Sequence, residues 1–286
     1  MYHIISNPTA GKRGNKYCLE LAKSVFDEAG VEYTVYETTK RGEAQEIAKR
    51  LTENGATELV VVGGDGTLHE VLNGIADPTV CRLGLVPAGT GNDFAEVAKI
   101  PLNAVDAAKL ILKGETKKTD YFTVGGTRCM NIAGMGIDVD VLDRCRKGKL
   151  KGKIKYFISL FQSVLAFKGL KVSFQKGDEK IEKNVMIAAV CNGRQFGGGM
   201  PVCPLSEIDD GKLDVVVVEY IKGLGNIVKA FLKLMKGEIL GEKITEHFLC
   251  DEISISSDNC PKQLDGEIYD ELSFSAKIES GLNVYR

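Results

Sequence analysis

Three short glycine-bearing stretches hold the side chains best suited to handling phosphate: SNPTAGKRG (6–14), GGDGT (63–67) and PAGTGNDFA (87–95). Each follows an apolar run, and a strand that ends in glycines and feeds a helix offers backbone N–H groups and a positive dipole end to an anion. Singly, each reads as an ordinary turn between a strand and a helix. Together, with Lys12 and Arg13 in the first and Asp93 in the third, they point to a polyphosphate site. Asp65 lies among the glycines Gly63, Gly64 and Gly66, just before Thr67, where bare phosphate would repel it. A substrate arriving with Mg²⁺ reverses that logic and places Asp65 in a carboxylate–metal–water network. Neither GxGxxG after the first strand nor GxxxxGK[ST] anywhere is present, so a Rossmann dinucleotide loop and a Walker A loop are both excluded.

The elements that must position these loops alternate. Strand patterns at 2–6, 31–37, 58–62 and 82–86 are separated by helical patterns near 15–29, 43–53, from Thr67, and near 103–113. This alternation predicts an α/β domain with a parallel sheet and helices on both faces, and all three loops would then lie at its carboxyl edge. From about residue 120 the pattern changes to strands at 171–176, 185–192, 212–219, 252–257 and 271–278, with helical stretches near 152–167 and 222–237. That is the signature of a β-rich second domain. The expected division is 1–121 and 122–277.

Composition sets the class. The chain has 286 residues, 44% of them hydrophobic and 27% charged, enough for two cores, and a formal net charge of −2, which excludes nucleic-acid binding by global charge. Its eight cysteines never form CxxC and follow no secretory segment, so they read as thiols in a reducing cytoplasm. No apolar run reaches the roughly 20 residues needed to span a bilayer. Nothing requires a protein partner, and a homodimer is compatible with the sequence. His3, His69 and His247 read as structural or surface residues.

GGDGT, preceded by NPTAG and followed by PAGTGNDFA, resembles the catalytic domain of the soluble diacylglycerol kinase family, which includes sphingosine and ceramide kinases. Later blocks follow in family order: NIAGMGIDVD (131–140), CNGRQFGGGMPVCP (191–204), IDDGKLDV (208–215) and QLDGE (263–267). The resemblance implies an ATP-dependent lipid kinase with a Rossmann-like N-terminal domain, a β-sandwich C-terminal domain and a tail, about 278–286, that returns to the first. It implies a nucleotide site at Asn7, Thr9, Thr38, Gly63, Gly64, Asp65, Gly66, Thr67 and Thr90. Asp93 and Asp120 match acidic positions near the metal-bearing phosphates. Asp65, Asp265 and Glu267 become the catalytic carboxylates, one of the DGE pair accepting a proton. A structural Mg²⁺ is implied at Asp210, with carbonyls of Glu207 and Lys212. Without the resemblance, DGE and DDG are strong turn sequences.

Phosphoryl transfer needs a cation to offset phosphate charge and a base for the attacking hydroxyl, and these carboxylates supply both requirements. An acceptor dissolved in a bilayer must also be reached. Seven Lys/Arg occur between 144 and 155, and Ile154, Phe157, Ile158, Phe161, Val164 and Leu165 follow at helical spacing. Such a segment reads either as a peripheral contact with anionic lipid or as a helix covering the second domain. NIVKAFLKLMKG (226–237) is a second stretch of the same kind. The reading is a cytoplasmic, peripheral ATP:lipid kinase using Mg²⁺, with diacylglycerol as acceptor. Its alternatives are an NAD kinase-like enzyme of a soluble substrate, a kinase of a sphingoid or other lipid, and a lipid-binding protein without turnover.

Overall fold

The computed structural model describes residues 1–8, 14–147, 159, 162–163, 166–176 and 179–286. They form two compact units, Met1–Tyr121 with Ser280–Arg286, and Phe122–Glu279.

The first unit opens with β1 (Tyr2–Ser6), α1 (Gly14–Glu28), β2 (Tyr33–Glu37), α2 (Glu43–Glu53), β3 (Glu58–Gly63), α3 (Asp65–Gly74) and β4 (Arg82–Pro87). Short helix α4 (Asp93–Val97), α5 (Ala104–Leu112) and β5 (Thr116–Val124) follow. The strands pair in the order β2-β1-β3-β4, all parallel, and the end of the last strand, Ser273–Tyr285, adds to β4 in parallel register with Asn283 opposite Arg82. Leu59, Val60, Val61 and Val62 are fully buried, as a central parallel strand covered on both faces requires. Helix α2 buries Ala44, Ile47, Ala48 and Leu51, one helical stripe.

From β1 the chain steps outward to β2, then returns past β1 to β3 and on to β4. Right-handed crossovers in opposite directions put their helices on opposite faces. Accordingly α1 packs with α5, and α2 with α3. The reversal lies between β1 and β3, and such a point opens a crevice at the carboxyl ends of the strands.

In the second unit, β6 (Thr127–Cys129), β7 (Ile132–Gly136) and α6 (Ile137–Lys147) lead to the long antiparallel strands β8 (Leu170–Lys176), β9 (Glu179–Cys191) and β10 (Leu213–Glu219). Then come α7 (Leu224–Met235), β11 (Thr245–Cys250), β12 (Glu252–Ser257), β13 (Lys262–Leu264), β14 (Glu267–Tyr269) and β15 (Ser273–Tyr285). Strand β9 pairs along its first half with β8 and along its second half with β7 and β10, so it belongs to both layers of a β-sandwich. One core lies between the layers and includes Val172, Phe174, Val190, Val215, Ile255 and Phe274. A second fills the outer face of β7, β9 and β10 beneath α6 and α7, with Ile137, Val141, Val216, Ile227 and Leu234.

One expectation changes. The third helix starts at Asp65, not Thr67, because extended Gly64 is its N-cap. An acidic residue in a first helical turn is favoured by the dipole, which gives Asp65 a local reason to be there. Helix α7 turns Ile227, Ala230 and Leu234 inward, while Lys229 and Lys233 pair with Glu242 and Glu238. This face of the helix covers the sandwich, while Leu232 is exposed on the opposite side. The segment 148–158, with most of the basic cluster, lies outside the described residues.

Candidate active site

In the first unit, neighbouring strand ends are laced by backbone bonds. The amide of Asn7 donates to Val62 O at 3.4 Å, that of Thr38 to Ser6 O at 2.8 Å, and that of Ala88 to Gly63 O at 2.8 Å. Asn7, Thr38, the GGDGT turn and the PAGTGND loop therefore share the carboxyl edge of one sheet. Thr9 lies outside the described residues, as do Lys12 and Arg13.

The glycines of GGDGT divide the work. A Cβ on Gly63 would meet the Thr67 side chain at 2.7 Å, and one on Gly64 would meet the Gly89 Cα at 2.9 Å. A Cβ on Gly89 would in turn stand 2.5 Å from the Gly64 Cα, so the two loops touch backbone to backbone. Gly66 is different: it is exposed, and nothing lies within 4 Å of where its Cβ would be. Gly63, Gly64 and Gly89 are packing residues, and Gly66, in the first turn of α3, leaves the helix N-terminus open to an approaching anion.

Asp65 joins the loops. Its Oδ2 accepts the Asn92 amide at 2.8 Å and its Oδ1 the Phe94 amide at 3.2 Å. Asn92 adopts a left-handed conformation at φ 60° and its Oδ1 accepts the Gly89 amide at 3.0 Å. Asp65 thus caps α4 from a distance in sequence, next to buried Asp93. Thr67 is buried and Thr90 is exposed at the rim. Asp120, buried on β5, accepts a hydrogen bond from Ser280 Oγ.

In the second unit, three sequence blocks converge on Asp265. Asp265 and Gly266 are the two-residue turn between β13 and β14, with φ 48° and 85°. Left-handed φ at both central positions is a type I′ hairpin turn, for which Asp-Gly is suited. The Asp265 carboxylate accepts the amides of Met130 at 2.8 Å, Asn131 at 2.9 Å and Ile132 at 3.0 Å. The Asn131 carbonyl accepts the amides of Asn192 and Gly193, and Asn192 Nδ2 donates to Met130 O at 2.7 Å. The NIAG, CNGR and LDGE blocks are therefore one hydrogen-bonded assembly, and partly buried Glu267 leaves it at the start of β14.

Asp210 folds over its own turn, its Oδ1 accepting the Lys212 amide at 3.0 Å. Lys212 Nζ pairs with Asp251 at 2.7 Å, and Glu207 and Asp210 are both exposed. Two residues that shape these loops escaped the sequence reading. Asn92 was legible in principle, since Asn before a short helix both caps and tolerates left-handed backbone. Asn15 was not: it is buried in α1, Ser6 Oγ donates to its Oδ1 at 3.3 Å, and its Nδ2 donates to Asn7 O.

Comparison with known proteins places these features in a lineage. Residues 1–124 match the family described as the diacylglycerol kinase catalytic domain, and residues 131–284 match the YegS C-terminal NAD kinase beta sandwich-like domain. A diacylglycerol kinase of Staphylococcus epidermidis (strain RP62A) is 31% identical over 219 residues, covering 76% of this chain and 69% of the relative. The diacylglycerol kinase of Bacillus subtilis (strain 168) is 27% identical over 274 residues, covering 92% and 88%. A solved chain from Bacillus anthracis str. Sterne superposes with a TM-score of 0.81 at 25% identity over 99% of this chain and 96% of its own. A diacylglycerol kinase structure from the same organism gives 0.73 at 21% identity, with the same coverage, and supports the fold alone.

Proposed function

Because the chain belongs to the diacylglycerol kinase family of lipid kinases, we propose that it transfers the γ-phosphoryl group of MgATP to the hydroxyl of diacylglycerol, giving phosphatidic acid. The observation that carries this reading is the pair of glycine loops in backbone contact, with Asp65 spanning them and Gly66 left open at a helix N-terminus. Such a cradle fits a polyphosphate, and the carboxylates of Asp65 and Asp93 fit its cation. Mg²⁺, when bound, offsets phosphate charge during transfer.

The chain's own residues do the rest. The amides around Gly64 and Gly66 bind and orient the phosphates. Asn7 and Thr38, at the crevice between strands, position the nucleotide. The DGE turn holds Asp265 rigidly through three amides, and a carboxylate of the Asp265–Glu267 pair takes the proton of the acceptor hydroxyl as the new O–P bond forms. The basic segment 144–155 supplies the contact with anionic lipid, each Lys or Arg contributing about 1 kcal/mol near such a surface.

Labelled ATP offered with diacylglycerol, a sphingoid base, ceramide, a polyprenol and NAD tests the assignment. Labelled phosphatidic acid is the expected product, and phosphorylation of NAD without any lipid product overturns it. Changing Lys149, Lys151, Lys153 and Lys155 to Gln weakens flotation with anionic vesicles at low salt. Unchanged flotation removes the docking role.

A further inference from the structure

Three adjacent strands of the second unit gather side chains of another chemical kind. Cys191 on β9 stands directly opposite Asp214 on β10, and His247 on β11 stands opposite Val216, two residues along from Asp214. Side chains alternate faces along a strand, so Cys191, Asp214 and His247 share one face. It is the face that carries the outer core with Val216 and Cys203. Cys203 enters from the following loop, held by its amide to Arg194 O at 3.0 Å and by the Ser206 amide to its own carbonyl at 3.1 Å.

The result is a compact donor cluster. The Cys203 sulfur, an Asp214 carboxylate oxygen and a ring nitrogen of His247 all lie within 4.8 Å of one another, and the Cys191 thiol is hydrogen-bonded to Cys203. Cys191 and Cys203 are fully buried and Asp214 is 2% exposed, whereas the His247 side chain is 24% exposed. A carboxylate withdrawn from water beside two thiols requires a hydrogen-bonded or charged partner. His247 Nε2, 2.5 Å from Asp214 Oδ1, occupies that place. A metal ion fills it more completely, because it satisfies both sulfurs as well.

We propose that Cys203, Asp214 and His247, with Cys191 as fourth donor, form a structural site for one Zn²⁺. Sulfur and imidazole donors select zinc over Mg²⁺ or Ca²⁺, which take oxygen. Ligand bonds of about 2.0–2.3 Å place tetrahedral donors roughly 3.3–3.8 Å apart, inside the span of the cluster. The Asp214–His247 contact has to widen, which rotation of the partly exposed imidazole does, and Cys191, which stands outside the 4.8 Å set of Cys203, Asp214 and His247, has to close in on the ion. The same exposure gives the ion its entry. As Zn²⁺ binds, the cysteines release their protons to solvent, so affinity rises with pH. The site ties β9, β10, β11 and the 193–206 loop together. It does not depend on the kinase reading, and it is chemically distinct from any hard-cation position at Asp210.

The full chain, stripped with a chelator and titrated with Co²⁺ or Zn²⁺ in excess Mg²⁺, tests the proposal. Expected are stoichiometric zinc by elemental analysis, a thiolate-to-cobalt charge-transfer band with tetrahedral d–d bands, and a zinc-dependent rise in Tm. Cys203→Ser and His247→Gln each weaken binding at least about tenfold and remove the Tm rise, with the far-ultraviolet spectrum retained. Should Cys203→Ser not fold, the partly exposed His247→Gln carries the test. Substoichiometric metal, cobalt bands unchanged in His247→Gln, or a Cys191–Cys203 disulfide in the freshly isolated protein would each overturn the site.

Discussion

Asp65 and Asn92 are joined through the backbone: the Asn92 amide donates to Asp65 Oδ2 at 2.8 Å, and Asn92 Oδ1 turns back to accept the Gly89 amide at 3.0 Å. The aspartate of the first loop thereby determines the shape of the second. Its charge faces two backbone donors, so this carboxylate positions phosphate-binding backbone in addition to any contact with a cation.

Replacing Asp65 by Asn separates these functions. An amide has one acceptor oxygen, so the Asn92 or the Phe94 N–H loses its partner at a cost of about 1–3 kcal/mol. Denaturant unfolding is expected to show that loss, and kcat/KM for MgATP to fall by at least about tenfold. Wild-type stability together with wild-type kinetics would remove Asp65 from the site.

Gly64 and Gly66 should respond oppositely to a single methyl group. Gly64→Ala pushes a Cβ to 2.9 Å from the Gly89 Cα and is expected to destabilise by about 1–3 kcal/mol. Gly66→Ala meets nothing within 4 Å and leaves the melting curve near wild type, while nucleotide titration shows weaker binding. Equal nucleotide affinity in Gly66→Ala and wild type would show that the phosphate is held elsewhere.

Asp265→Asn keeps a residue that tolerates φ 48° but cannot accept all three amides of Met130, Asn131 and Ile132. Lipid kinase turnover is expected to drop on the order of a hundredfold. Asp265→Ala, which also strains the turn, unfolds at a lower temperature than Asp265→Asn. Labelled phosphatidic acid formed from labelled ATP and thermal melts measure the two effects separately.

Asp138 links stability to pH. It sits in the first turn of α6, and a Cβ on Gly134 would stand 2.7 Å from its Oδ2, while its Oδ1 is buried and has no hydrogen-bond partner. Burial pushes its carboxyl up to about 6, against the opposing pull of the Gln263 side chain and, less, of the Val139 amide. A raised folded pKa means that the stabilising effect of the proton is full below about pH 4, declines as pH rises through about 6, and is absent above it. The difference amounts to about 3 kcal/mol at 1.36 kcal/mol per pH unit. Asp138→Asn should flatten unfolding free energy between pH 4 and 7. A slope equal to wild type would assign the effect to another group.

The phosphate-binding half was legible because its determinants are local. Glycines end apolar strands, and α2 runs over Glu43–Glu53, the limits its periodicity suggested. The partners of the carboxylates were not legible, since Asp65 is bonded 27 residues away and Asp265 as many as 135 residues away. Backbone amides carry no sequence signal of their own. Helix α4 has five residues, too few for a periodic pattern. Strand β5 was hidden by TKKTD, in which only Thr119 and Asp120 are buried, each bonded to the chain's end rather than placed by alternation.

Asn283 and Val284 pair with Arg82 and Leu83, so the sheet of the first unit is extended past β4 by residues made long after it. On the ribosome, β4 therefore waits with one side of its hydrogen-bonding groups unsatisfied while the whole sandwich is synthesised. An open strand edge is a template for intermolecular pairing. Stalled or nicked chains lacking the 273–285 strand should consequently be the species that aggregate and recruit chaperones, whatever the integrity of the catalytic loops.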